Sequence, residues 1–329
     1  MELVKTFNNI LNNFAIKATC IDCHQMGNYL FFDLKLSSNG KIRDIQKYSD
    51  EIALHLKMSK PSIKVLHQEG IVRMEFASPL KETLNLFDYM SGATIPNGEI
   101  NCCLGQAVDG KKMWMDLAQN PHLLIAGTTG SGKSVLLHNI IANLLSHNNV
   151  DIWLIDPKQI EFVEYKNKIS RIVVKNTFTE AVKLLNSALD IMEFRYRAIT
   201  KGCDLNNIKP LVIIIDEFAD LIMQDKNDEF YGLLCRLAQK CRAAKIHLIC
   251  ATQRPSVNVI SGVIKANFPA RIACRVASHT DSKVILDNSG AENLLGKGDA
   301  LVKDNFRSID RFQVAYTDAK EVCSIFGDE

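Results

Sequence analysis

Residues 127–134 read Gly-Thr-Thr-Gly-Ser-Gly-Lys-Ser, and the apolar run His122-Leu123-Leu124-Ile125-Ala126 leads straight into them. Buried strand, glycine loop, then helix is the context that gives this phosphate-binding P-loop pattern its meaning. The backbone N–H groups of Gly127, Thr128, Thr129, Gly130, Ser131 and Gly132 and the start of the following helix aim at one spot, which makes an anion cradle. Glycine is needed because side chains block the backbone from closing on phosphate. Lys133 supplies a point charge for the β- and γ-phosphates, and Ser134 offers a hydroxyl to Mg²⁺. The chain is expected to bind ATP with Mg²⁺.

A second signal is Leu211-Val212-Ile213-Ile214-Ile215-Asp216-Glu217, a buried strand that delivers two carboxylates at its C-terminal end. Ligands of open parallel sheets bind at that edge. Asp216 fits the Walker B role of holding Mg²⁺, and Glu217 fits the base that deprotonates the attacking water. A further strand, Leu248-Ile249-Cys250-Ala251-Thr252, ends at Gln253, either a sensor of the γ-phosphate or an uninvolved surface glutamine. Asp156-Pro157-Lys158 closes another strand at the same edge, where it either touches nucleotide or substrate or forms a turn.

The apolar runs 122–126, 150–155, 211–215, 246–251 and 270–276 alternate with helical stretches such as 134–146, 179–201 and 229–243. That alternation predicts an α/β fold with a mainly parallel sheet covered by helices. Two strands near 299–303 and 308–316 and a helix near 318–326 follow. Ahead of them, residues 2–13 and 41–58 have helical spacing, and 15–23, 29–36, 63–67 and 71–76 read as strands. These predict a small α+β domain over 1–95, with a connector to about 105, and an ATPase domain over 105–329. Pro79, Gly92, Pro96 and Gly98 punctuate the connecting stretch 77–100.

With 47% hydrophobic and 23% charged residues, the 329-residue chain has ample material for a core. A net charge of +2 falls short of the strongly basic signature of many nucleic-acid binders, so polyanion contact has to come from a local patch or from one repeated in an oligomer. No apolar stretch approaches the length of a membrane-spanning helix, and the N-terminus lacks signal-peptide regions; a cytoplasmic location is expected. Ten scattered cysteines then read as reduced thiols. Cys20-Ile21-Asp22-Cys23-His24 spells the haem-attachment pattern but lies in a strand-like segment; coincidence is preferred to haem, or to zinc shared with Cys102 and Cys103.

The blocks HLLIAGTTGSGKS, WLIDPKQIEF, MEFRYRAITKG, IIIDEFADL and LAQKCRAAKIHLICATQRP through GAENLLGKGDALV resemble the motor of the FtsK/SpoIIIE DNA translocases, nearly continuously over about 105–303. The resemblance implies a RecA-like domain, a hexameric homo-oligomeric ring and double-stranded DNA threaded through its pore. It implies that Arg242, in the LAQKxRAA block, reaches a neighbouring subunit's nucleotide as an arginine finger; a helix-surface arginine is the alternative. It places DNA contacts at Arg254, Lys265 and Lys283, with His279 where relatives commonly carry lysine. Relatives often have membrane helices and a winged-helix γ domain, and neither is expected in this chain. An ATP-driven DNA translocase for chromosome or plasmid transfer or viral packaging is the leading expectation. A type VII-like protein-secretion ATPase and an ATP-gated DNA clamp are the alternatives.

Overall fold

The computed structural model describes residues 2–26, 29–58, 61–66, 70–78, 83–166, 168–169, 172–204, 208–306 and 309–327; Pro79 lies outside them. The chain divides into two compact units, Met1–Thr83 with Val108–Lys111, and Leu84–Ala107 with Lys112–Glu329.

The smaller unit runs α1 (Glu2–Asn13), β1 (Ala18–Met26), β2 (Tyr29–Leu36), α2 (Ile42–Lys47), α3 (Ser49–Leu56), β3 (Ser62–Leu66) and β4 (Ile71–Ala77). Its antiparallel sheet has the order β1-β2-β4-β3. Leu30, Phe32 and Leu34, alternate positions of β2, pack with Phe7 and Leu11 of α1 and with Ile45 and Ile52. Phe7 stacks on Phe32 at 4.3 Å between ring centroids. Cys20 belongs to this core, where burial pushes its thiol up to about 12. His24 instead pairs with Asp22 at 3.0 Å and stacks over Phe31. Asp22, His24 and Asp33 bring ligand atoms within 4.8 Å of one another, yet Arg73 already holds both Asp33 oxygens, at 2.6 and 2.7 Å.

The larger unit opens with α4 (Leu86–Met90), β5 (Asn101–Ala107), β6 (Lys112–Asp116), β7 (His122–Ala126), α5 (Lys133–Ser146), β8 (Asp151–Ile155), β9 (Ile172–Lys175) and α6 (Phe178–Thr200). It continues with β10 (Leu211–Ile215), α7 (Phe218–Gln224), α8 (Glu229–Lys240), β11 (Ile246–Thr252), α9 (Gly262–Asn267) and β12 (Ala270–Cys274). α10 (His279–Leu286), β13 (Asp299–Lys303), β14 (Asp310–Val314) and α11 (Ala319–Phe326) complete it. Its sheet has the order β6-β5-β14-β13-β12-β7-β11-β10-β8-β9. From β12 through β9 all neighbours are parallel, whereas β6 to β12 are joined antiparallel.

The parallel strands read as unbroken apolar runs because both faces are covered. Leu123 and Ile125 face a core built on α5, and Leu124 and Ala126 face another built on α6 to α10. Thr177 and Glu180 form a capping box that starts α6, and Ser261, Ser278 and Asp318 cap α9, α10 and α11. The stretch 77–100 carries α4, and β5, β6 and β9 form where no strand is expected from the sequence. Asn-Cys-Cys-Leu-Gly-Gln-Ala has neither alternation nor an apolar run, and its Gly105 lets β5 approach β14 more closely than any side chain allows. Among the described residues no helix is long and apolar enough to cross a membrane.

Candidate active site

Three neighbouring strands bring their C-terminal ends to one place. Ala126 of β7 pairs with Thr252 of β11, and Ile215 of β10 pairs with Cys250 of β11. The P-loop, the Asp216–Glu217 pair and Gln253 all emerge from this edge.

The P-loop is braced from behind. Gly132, with φ of 104°, caps α5, and a Cβ there would sit 2.3 Å from the Gly298 nitrogen. Both the left-handed backbone and the close approach require glycine. The Lys297 and Gly298 N–H groups donate to the carbonyls of Gly130 and Ser131, at 3.2 and 2.8 Å. Gly127 and Thr128 donate to the carbonyls of Thr252 and Arg275, at 3.2 and 2.9 Å. Behind the brace, Asp299 forms a buried ion pair with Arg311 at 2.7 Å and accepts from the Leu295 N–H at 2.8 Å. The GKGD block of the sequence is therefore the support of the phosphate loop, a role its spacing does not announce.

Lys133 donates to Asp216, and both side chains are buried. Burial holds the Asp216 carboxyl above the usual carboxylate range, with Lys133 opposing and Glu161 and Glu217 adding to the rise. Glu217 is 1% exposed and adopts a left-handed backbone, φ 50°, at the cap of α7. That conformation costs a non-glycine residue about 1–2 kcal/mol and aims the carboxylate back across the strand ends. Its Oε1 accepts from the Thr252 hydroxyl at 2.7 Å and the Gln253 N–H at 3.2 Å. Its Oε2 accepts from the Gln253 N–H at 3.1 Å and the Lys158 ammonium at 3.2 Å. Gln253 also receives the Thr129 hydroxyl on its Oε1 at 3.2 Å, which joins it to the P-loop.

Glu161 completes the group, and sequence reasoning misses it. Its carboxylate stands 3.4 Å from His138 Nε2 and faces the Ser134 hydroxyl. Although burial raises it, the His138 and Ser134 hydrogen bonds leave it below the ordinary glutamate value. His138 Nδ1 lies 2.9 Å from the Tyr165 hydroxyl. The loop reaches back because Asp156 accepts the Phe162 N–H at 2.9 Å and Gln159 takes a positive φ. The only hint in the sequence is a carboxylate shortly after a strand end.

Of the remaining expected residues, Arg254 touches this cluster through its backbone, and the others lie apart from it. Arg242 is exposed on the short 3-10 turn Cys241–Ala244, ahead of β11. β11 has seven residues, so at about 3.3 Å per residue Arg242 lies roughly 20 Å from the Glu217 edge. Arg254 is exposed, its N–H donates to the Thr252 hydroxyl at 3.0 Å, and its guanidinium contacts the Met223 sulfur at 3.8 Å. His279 and Lys283 are exposed on α10. Lys265 is tied to Asp287 at 2.9 Å, a carboxylate that also takes Arg271 and Lys303. Partial burial would raise Asp287, but Lys265 and Arg271 hold it down to about 2.

The sequence profile of the FtsK/SpoIIIE family matches residues 94–209 and 198–257. The chain belongs to the FtsK/SpoIIIE family. A DNA translocase FtsK of Clostridium acetobutylicum is 37% identical over 344 aligned positions, covering 96% of this chain and 44% of the relative. One from Leptospira interrogans is 37% identical over 308, covering 86% and 32%. The chain thus spans less than half the length of these FtsK relatives. The pCW3 conjugation coupling protein TcpA, solved as a monomer with ATPgS, superposes with a TM-score of 0.69 at 23% identity, covering 99% of both chains. The type VII secretion ATPase EccC of Thermomonospora curvata superposes with a TM-score of 0.57 at 22% identity, covering 68% of this chain and 30% of that one. The fold is that of a P-loop ATPase.

Proposed function

We propose that this member of the FtsK/SpoIIIE family hydrolyses ATP and uses the energy to move along double-stranded DNA, as a hexameric ring in the cytoplasm. The observation that carries the reading is the line Glu217–Thr252–Arg254. One hydroxyl donates to the carboxylate that would deprotonate water and accepts from the backbone of an exposed arginine two residues away. Hydrolysis and polyanion contact are thereby linked by two hydrogen bonds through a single hydroxyl.

In this reading the N–H groups of residues 127–134 cradle the triphosphate and Lys133 neutralises its β/γ oxygens. Glu217 takes the proton of the water that attacks the γ-phosphorus as ADP departs. Gln253, joined to both Thr129 and Glu217, senses the γ-phosphate. The oxygen donors Ser134 and Asp216 suit a hard cation and would hold it, with Glu161 accepting the Ser134 hydroxyl hydrogen bond beside them. Mg²⁺ held there would neutralise phosphate charge. Arg242, too far from its own site, serves the neighbouring subunit's nucleotide. Arg254, Lys265, His279 and Lys283 contact DNA phosphates, which carry no base identity and make each step equivalent. The smaller unit serves as the smaller domain of the motor and the larger unit as its ATPase domain.

The test is ATP turnover with and without long duplex DNA, together with displacement of a third strand from a triplex. DNA-stimulated turnover with directional displacement is expected, and Lys133→Ala abolishes both. Stimulation without displacement indicates a clamp. Turnover indifferent to DNA but raised by peptide indicates a secretion motor.

A further inference from the structure

We infer that Lys158 is a positioning residue that restrains Glu217 until DNA engages, and then transfers to Asp220. This rests on the ATPase reading above and adds the device that keeps hydrolysis in check.

A general base needs a free lone pair directed at its water. Three donors already share the two oxygens of Glu217, so neither oxygen is uncommitted. Thr252 and the Gln253 N–H hold the carboxylate from the β11 side, and the Lys158 ammonium covers Oε2. The first two contacts orient the carboxylate. The third, a charge-assisted bond to the oxygen left for water, opposes proton abstraction.

Lys158 has a second place to go. Its ammonium stands 3.2 Å from Glu217 Oε2 and 3.7 Å from Asp220 Oδ2. The two carboxylates lie three residues apart, at the cap and in the first turn of α7. Glu217 is buried, whereas the Lys158 and Asp220 side chains are 34% and 27% exposed, so a small lysine movement exchanges one partner for the other. One ammonium within reach of two carboxylates makes an element whose balance a ligand can bias. The bias is within reach of DNA, because α7 also carries Met223, whose sulfur touches the Arg254 guanidinium.

The experiment measures turnover without DNA, turnover at saturating duplex, and affinity for a fluorescent ATP analogue in the full chain. Lys158→Met raises DNA-independent turnover about tenfold, the weight of one charge-assisted hydrogen bond. It leaves analogue affinity unchanged and so lowers the ratio of stimulated to basal rate. Lys158→Arg restores the low basal rate. Asp220→Asn acts with the opposite sign: it removes the alternative partner, keeps Lys158 on Glu217, and lowers the stimulated rate severalfold. A basal rate unchanged or reduced in Lys158→Met overturns the restraint. If that variant does not fold, an undiminished stimulated rate in Asp220→Asn overturns it instead. A wild-type chain with no turnover at all sinks the ATPase reading and the restraint together. An active wild type with the wrong sign in the variants removes only the restraint.

Discussion

At its C-terminal end β11 delivers Thr252 and Gln253 to a cluster of buried charges; at its N-terminal end it delivers His247 to a pair of buried imidazoles. Lys133, Asp216 and Glu217 stay within a low-dielectric edge because each has a partner of opposite charge or several donors. His122 and His247, only 3% exposed, are pushed by burial to about 3 and about 4, and they remain neutral. One end of the strand spends stability on charge held ready for chemistry, and the other discharges its polar groups and leaves Arg242 exposed beside them. In the proposed ring, that contrast leaves hydrolysis to one end and the neighbour's nucleotide to the other.

The largest effect comes from breaking that division of labour. Arg242→Ala is expected to reduce turnover about 10³–10⁵-fold, the usual weight of an arginine finger. Glu217→Gln is expected to reduce it about 10²–10⁴-fold while retaining ATP binding. Mixed together, the two inactive variants should regain turnover at seams that pair an intact Glu217 with an intact Arg242. A mixture no more active than its components removes the trans role of Arg242 and with it the comparison.

Acid tests the histidine end. Unfolded imidazoles take up protons near pH 6.5, whereas these two resist until about 4 and about 3. The folded state therefore binds fewer protons than the unfolded state, and its stability is present above pH 6.5 and lost as pH falls. Each histidine contributes about 1 kcal/mol per pH unit over that window, so the pair loses roughly 2 kcal/mol between pH 6 and 5. Urea midpoints measured at these two values check the slope. His247→Gln should halve it; an unaltered slope assigns the acid sensitivity to other groups.

The sequence made the charged end more legible than its supports. Runs such as Leu211–Ile215 and His122–Ala126 are apolar throughout because the sheet is covered on both faces, and their direction places Asp216 and the P-loop at one edge. The position of Arg242 before β11 follows from the same polarity. The β5–β6 hairpin was hidden because its Gly105 answers to a close approach by β14, a tertiary demand with no local pattern. Glu161 reaches Ser134 only through the fold of the loop that Asp156 closes, and Lys265 meets Asp287 across 22 residues. Pairings of that kind are decided by packing, which a single sequence does not display.

The smallest effect separates two cations that the sequence treats alike. Arg254 presents an exposed guanidinium whose partner is a thioether sulfur, with no carboxylate paired to it among the described residues. Lys265 shares Asp287 with Arg271 and Lys303, so a phosphate must compete with an ion pair already formed. Each released counterion contributes about 0.9 to the slope of log K against log salt for duplex DNA. Arg254→Ala is expected to reduce that slope by about this amount, and Lys265→Ala by clearly less, when duplex affinity is titrated from low to moderate salt. Equal losses would mean that DNA displaces Asp287 from Lys265 outright, so that Lys265 engages phosphate as fully as Arg254 does.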